Sequence, residues 1–286
     1  MIGLCRRNIK VFFRDRAAVF FSLLSGLIII GLYALFLGDV WASSLSDITN
    51  AREIINSWLI SGLVAVISFT SSLGAYAVMV DDSTKGIRKD FFSSPISKER
   101  IVGGYFLSNL LTSFVVTLVT LAVGEVFIVL EGGELISLTT LLKVLATILM
   151  TILMNSSILF VVVSFVKTQS TFSLISTIVG TLIGFLTGIY VPIGQLNASM
   201  QWLIKVFPLS HAAALLRQLM MDSPMRYGFA SFPQSATDKF KAIMGVNLSL
   251  GGHLLAPWMH VAVILLTTGV FYLISIGIVS RMRNAA

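Results

Sequence analysis

At 286 residues, 56% hydrophobic and only 12% charged, with a mean hydropathy of +0.92, the chain lies outside the range of soluble globular domains. Its formal charge of +7 does not mark a nucleic-acid binder, because the basic residues sit at the ends of apolar runs and never interleave with aromatics along one face. The composition predicts a polytopic membrane protein, and the lone Cys5 excludes an intrachain disulfide.

A helix needs about 20 apolar residues to cross a hydrocarbon core of about 30 Å. Uncharged runs predict six spans, at about 17–38, 57–80, 101–124, 144–166, 170–190 and 257–280. The runs lack the period-two alternation of a barrel, so the expected fold class is all-α, each span satisfying its own backbone. The fifth helix is placed to end near Tyr190, since Pro192 lacks an amide hydrogen and disfavours helix before it. The sixth begins at Pro257, a residue suited to a first turn. Residues 1–286 form one membrane domain with no nucleotide-binding domain, and 191–256 form an outer segment.

Thirteen of the 20 basic residues fall on one side of this arrangement, at 6–16, 85–100, Lys167 and the tail residues Arg281 and Arg283. By the excess of positive charge on cytosolic loops, both termini are cytosolic. The expected location is a cell membrane, the plasma membrane of a bacterium. A cleaved signal peptide ending at Ala42 is the alternative for the start of the chain, but a 22-residue apolar run exceeds the usual length.

In chain order, residues 4–16 mix Leu4, Phe12 and Phe13 with Arg6, Arg7, Lys10 and Arg14, a pattern expected of an interfacial helix whose cations lie near anionic headgroups. A plain topogenic tail fits the same residues. Span two carries Ser57, Ser61, Ala65, Ser68, Ser72 and Ala75 at steps of three and four, a small polar stripe on one face. Such a stripe packs against another helix or lines a route. Then comes Asp81 to Arg100, in which nine of twenty residues are charged. A segment so polar between two spans is expected to be a cytosolic docking loop, although charge alone argues only for a solvated one.

Span three ends near Glu125, expected to be solvated or structural. Span four holds Asn155, Ser156 and Ser157, candidate interhelical hydrogen bonders. Span five spaces Ser176, Gly180, Gly184 and Gly188 by four, flanked by Thr177, Thr181 and Thr187, which predicts close helix contact. In the outer segment, 199–207 and 209–221 are too short to cross and suit interfacial or re-entrant helices, while 222–252 looks like polar, turn-rich surface. The three histidines form no recognisable metal motif. There is no phosphate-binding loop, no nucleophile turn and no acidic pair for proton coupling. Energy for uphill transport must come from elsewhere.

The order of these parts resembles the permease subunit of type 2 ABC exporters. The resemblance is carried by Phe13-Arg14-Asp15, by Lys85-Gly86 with Ser94-Pro95-Ile96, and by Tyr190-Val191-Pro192 through Pro208-Leu209-Ser210-His211 to Arg217. Asn197 departs from it, standing where many members have proline. In style the chain is nearest the multidrug and antibiotic-resistance branch. The resemblance implies two permease copies, as a homodimer or heterodimer, working with a separate ABC ATPase that holds ATP and magnesium. It also implies that Asp90, Phe91, Phe92, Ser93, Ser94, Pro95 and Ile96 form a coupling helix entering a groove on that ATPase. Aromatic anchors with flanking charge suit such an interface.

The expected function is therefore export of a hydrophobic or amphipathic compound, such as a drug, lipid, lipopeptide or toxin. Ser61, Ser68 and Ser72 with Ser176, Thr177, Gly180, Thr181, Gly184, Thr187 and Gly188 are the candidate path or dimer-packing residues. No cofactor, metal or nucleic acid is expected on this chain. A stand-alone channel or carrier, or a membrane anchor recruiting a cytosolic partner, are the alternatives.

Overall fold

The computed structural model describes residues 1–16, 19–20, 28–31, 33, 48–251 and 253–284. The expected first span, 17–38, falls largely outside the described residues. Among those described, the protein is a helical membrane bundle with five helices long and apolar enough to cross a bilayer. These are α2 (Ala51–Thr84), α4 (Lys98–Leu130), α5 (Leu138–Ser164), α6 (Gln169–Leu186) and α11 (Pro257–Asn284). The amphipathic α1 (Ile2–Arg14) precedes them, and a short α3 (Ile87–Ser93) joins α2 to α4.

The bundle is built around α2, which packs on α4, α5, α6 and on α8 (Pro208–Met220). At 34 residues it is about 51 Å long at 1.5 Å per residue, well beyond the hydrocarbon thickness. Its two ends thus stand at opposite ends of the bundle: Asp82 beside α1, and Ile54 beside Gly228 of α9 (Asp222–Gly228). Helix α4 likewise runs past both expected limits and α5 starts before its own, because helix ends follow local signals and not the end of the apolar run. Ser137 starts α5 by accepting the Thr140 amide hydrogen at 3.2 Å.

Polar side chains inside the bundle are matched in pairs. Asn155 on α5 donates to Ser68 Oγ at 3.1 Å, and Ser156 donates to Asn109 Oδ1 at 2.6 Å. Asn109 on α4 donates to the Ser72 carbonyl at 2.6 Å, and Tyr76 donates to the Ser156 carbonyl at 3.0 Å. All six residues are at most 1% exposed. Asn155 and Ser156 are thus interhelical bonders, whereas Ser157 bonds the Leu153 carbonyl of its own helix. Glu125 is buried, not solvated, and accepts the Ile136 amide hydrogen at 3.2 Å across the α4–α5 turn.

The fifth span ends at Leu186, earlier than Pro192 suggests. Gly188 takes the left-handed conformation (φ 68) and the Ile189 amide closes back on the Gly184 carbonyl at 3.0 Å, a helix stop that glycine makes at no steric cost. The chain then folds back so that the Tyr190 ring covers Gly184, where a Cβ would meet it at 2.3 Å. Helix α6 is mostly bare in the protomer, with Leu174, Ile178 and Leu182 exposed, and α11 is barer still.

Beyond α6, a 3-10 turn (Ile193–Gln195) leads to α7 (Ala198–Val206) and α8, where the two short helices were expected. Helix α8 does not lie on the surface of the bundle. It is almost wholly buried, wedged between α2, α5 and α11. The segment expected as turn-rich surface instead forms α9, α10 (Gln234–Ile243) and a two-residue hairpin, β1 (Ser249–Leu250) with β2 (His253–Leu254). Its polar residues face outward from short helices, a periodicity too brief to register against the membrane spans.

Removing Asn109 takes away the second donor to the Ser72 carbonyl and the acceptor of the Ser156 hydroxyl. Asn109→Ala is expected to lower stability in bicelles by about 1 kcal/mol, the size of an interhelical polar contact in a membrane. Steric-trap unfolding measures it, with the lipid-facing Leu111→Ala as the neutral comparison.

Candidate functional site

The end of α2 near Asp82 gathers the N-terminal helix, the charged loop and the start of α4. In α1, Cys5, Asn8 and Phe12 are buried, while Arg6, Lys10, Phe13 and Arg14 point outward. This spacing lays one face on the bundle. Leu4 sits so close to α4 that a Cβ on Gly104 would meet it at 3.0 Å. Only a residue without a side chain leaves α1 this near.

Arg7 does not reach toward headgroups as expected from its helix. Its Nη1 and Nη2 donate to Asp82 Oδ2 and Oδ1 at 2.5 and 2.7 Å, and the Tyr105 hydroxyl donates to the same Asp82 Oδ2 at 2.6 Å. Asn8 adds a bond to Ser108 Oγ at 3.3 Å. Asp82 is 1% exposed, so three charge-assisted bonds from two helices satisfy a carboxylate that has left water. The hydrogen bond and charge of Asp82 in turn raise the Arg7 pKa above its ordinary value.

The same guanidinium lies 6.0 Å from the Phe91 ring of α3, within cation–π range. Arg7 therefore touches α1, α2 and α3 at one point. Helix α3 begins after a turn at Gly86 and ends where Ser94 turns extended ahead of Pro95. Ser94 Oγ and Ser93 Oγ donate to the Phe91 and Asp90 carbonyls at 2.6 and 3.0 Å, closing the helix end. Asp90, Ser93, Pro95 and Ile96 are exposed, and Phe91 is half-buried against the core. The side chain of Phe92 lies outside what is described. Ile96, 48% exposed, is the most open apolar group of the segment that the structure describes.

The two small-residue stripes have different surroundings. Ser61, Ser68 and Ser72 are buried inside the protomer and bond carbonyls of their own helix at 2.7–2.8 Å. On α6, Gly184, Thr187 and Gly188 are buried at the chain reversal, while Thr177, Gly180 and Thr181 are exposed and Ser176 is partly so. Among the described residues, and apart from its own helix, nothing lies within 4 Å of a Cβ built on Gly180.

At the opposite end of α2, α8 brings together groups that are distant in sequence. His211 Nε2 lies 2.9 Å from the Lys205 carbonyl, which can only accept, so Nε2 carries the proton. His211 Nδ1 then accepts from His260 Nδ1 at 2.9 Å. Gln218 Nε2 donates to the Val246 carbonyl at 2.9 Å and lies 3.5 Å from His260 Nε2. Both rings are neutral in this chain of bonds, which ties α8 to the start of α11. Among the described residues no cluster of three or more metal-ligating side chains occurs.

A family model described as ABC-2 family transporter protein matches residues 41–278, well over half of the chain. The chain belongs to the ABC-2 transporter family. It is a membrane permease of the type 2 ABC class. No curated protein matches it. In this ABC-2 permease the matched region holds α2 to α10 and most of α11, whereas α1 precedes it. The Arg7–Asp82 pair thus joins a helix outside the family match to two helices within it. Sequence reading missed Asp82 and Tyr105, which are 75 and 98 residues from Arg7; only their charge and polarity next to apolar runs hinted at a partner.

Asp82→Asn keeps the side-chain shape and removes the charge that Arg7 and Tyr105 share. It is expected to loosen α1 by about 1.5–3 kcal/mol, the weight of hydrogen bonds to a charged group. Faster deuterium uptake in Ile2–Arg14 with unchanged uptake in α8 is the expected result; equal uptake in α1 would show that the pair does not anchor it.

Burial pushes the His211 pKa below its ordinary value, against the opposing effect of the bond to the Lys205 carbonyl. The unfolded chain then binds a proton more readily than the folded one. The stability this group contributes is complete above pH about 6.5 and is lost as the pH falls toward the folded pKa. After correction for intrinsic exchange, deuterium uptake in Pro208–Met220 should rise between pH 7 and 5, and His211→Gln should flatten most of that rise.

Proposed function

We propose that this permease is the membrane half of an ATP-driven exporter, carrying a hydrophobic or amphipathic compound out of the cell. Two permease copies work with a separate ABC ATPase, on which ATP and magnesium bind. The observation that carries this reading is α3, a short helix hung beyond the end of α2 with Asp90 and Ile96 exposed and Phe91 held under Arg7. A groove on the ATPase that receives Asp90 to Ile96 would move α3, and Arg7 would pass that motion to α1 and, through Asp82 and Tyr105, to α2 and α4. The excess of basic residues at this end supports a cytosolic placement for it.

Among the described residues Ser61, Ser68 and Ser72 are buried against their neighbours, so a route past them requires α2 and α5 to part. The bare face of α6 fits the route or the second copy better. There Thr177, Gly180 and Thr181 allow a neighbouring backbone to come close. An amphipathic substrate suits a path of threonine, glycine and leucine, which offers contact area and few fixed polar groups.

Asp90→Lys and Ile96→Asp change exposed groups that the fold of the protomer does not use. Each is expected to weaken ATPase binding by about tenfold or more, in line with the weight of central anchors in small interfaces, while membrane insertion is unchanged. Co-purification and ATPase stimulation in proteoliposomes are the readouts, with Phe91→Ala/Phe92→Ala as the stronger lesion. Normal binding and stimulation by all three variants would remove the docking role of α3.

A further inference from the structure

At the end of the bundle away from α3, Arg217 is 0% exposed in the middle of α8. Its Nη2 donates to the Gly188 carbonyl at 3.2 Å, and the Trp58 ring lies 5.0 Å from its guanidinium carbon. Among the described residues Nε and Nη1 have no partner, and neither has Oε1 of the adjacent Gln218. Burial pushes the Arg217 pKa down to about 9, which leaves it charged at neutral pH. A buried cation without a counter-charge is among the most costly arrangements a fold can hold. Arg7 at the other end shows the usual remedy, a buried carboxylate.

Arg217, itself without solvent exposure, borders a cleft of about 640 Å³, a size that suits small-molecule sites. Lys241 and Arg226 also line it. Asp222 is the one acid among its lining residues, and it is taken by Arg226, whose Nη2 donates to Asp222 Oδ2. Arg217 and Lys241 are thus left without an acid in the cleft. The rest of the wall is mixed, with Met221, Met225, Phe229 and Phe232 on its apolar side and Gln218, Gln234, Thr237 and Asn247 as its polar part. Cations along the cleft call for an anion, and the apolar side calls for a chain attached to it.

We propose that this cleft between α8, α9 and α10 binds the anionic head of an amphiphile, a phosphate or carboxylate on an apolar chain, with Arg217 bordering it and Lys241 at its rim. The free N–H groups of Arg217 receive the head, and Met225 and Phe229 cover the first part of the tail. The site is a property of this chain alone and does not rest on export or on the ATPase.

Trp58 reports on the site because its ring faces Arg217. The full chain carrying Trp41→Phe, Trp202→Phe and Trp258→Phe retains Trp58 as its sole indole and is placed in phosphatidylcholine nanodiscs. Dioctanoyl phosphatidic acid is expected to shift Trp58 emission saturably, and dioctanoylglycerol, which lacks the phosphate, is expected not to. Inorganic phosphate, which lacks the tail, should bind about tenfold more weakly or worse, as should phosphatidic acid to Arg217→Gln, the weight of one charged hydrogen bond or several buried methylenes. Lys241→Gln, at the rim, is expected to weaken binding several-fold without touching the fold, and carries the test if Arg217→Gln does not yield folded protein. The proposal is overturned by a parent chain with no saturable response, by an equal response to dioctanoylglycerol, or by Lys241→Gln binding as the parent does. Inorganic phosphate binding as tightly as phosphatidic acid would overturn the amphiphile and leave a plain anion site. Transport assays with the ATPase are separate, so failure here leaves the export reading standing.

Discussion

Everything in this permease is arranged around one helix that must be apolar enough to sit in a bilayer and polar enough to be held by its neighbours. Helix α2 meets both demands by keeping its polar groups small and paired. Ser68 and Ser72 bond their own backbone and still present an oxygen to Asn155 and Asn109. Lipid gives no hydrophobic reason for helices to associate, so these matched pairs and the close packing of small residues set which helices lie together. The bare outer faces of α6 and α11 follow from the same logic, since they hold few such groups facing α2.

The two ends of α2 solve the problem of a buried cation in opposite ways. Near α3, Arg7 meets Asp82, and Tyr105 completes the carboxylate, so three helices are fastened by one charge pair. Near α8, Arg217 has a carbonyl and an aromatic face but no carboxylate. The first arrangement is closed and suits a mechanical joint. The second is incomplete within the chain and suits a group that arrives from outside. At that same end, the neutral His211–His260 pair holds α8 to α11 without adding charge.

Glycine on α6 shows why one pattern can serve two ends. The run Gly180, Gly184, Gly188 has the spacing of a helix-packing motif throughout. Gly188 is spent on a left-handed helix stop and Gly184 on the returning Tyr190 ring, while Gly180 stays open. Spacing identifies a groove, but the partner is chosen by where the chain goes next.

The sequence alone determined the all-α membrane class, the place of the later spans, the charged segment between α2 and α4, and the two short helices before α9. These follow from run length, hydropathy and turn residues, which are local. The tertiary structure alone decided that α8 is buried, that Arg7 faces Asp82 and not headgroups, that His211 meets His260, and that Arg217 is left unpaired. Those facts join residues from 49 to 75 positions apart in the pairs Arg7–Asp82 and His211–His260, and no periodicity along the chain encodes them. Run length states that a segment is buried; only packing states beside what.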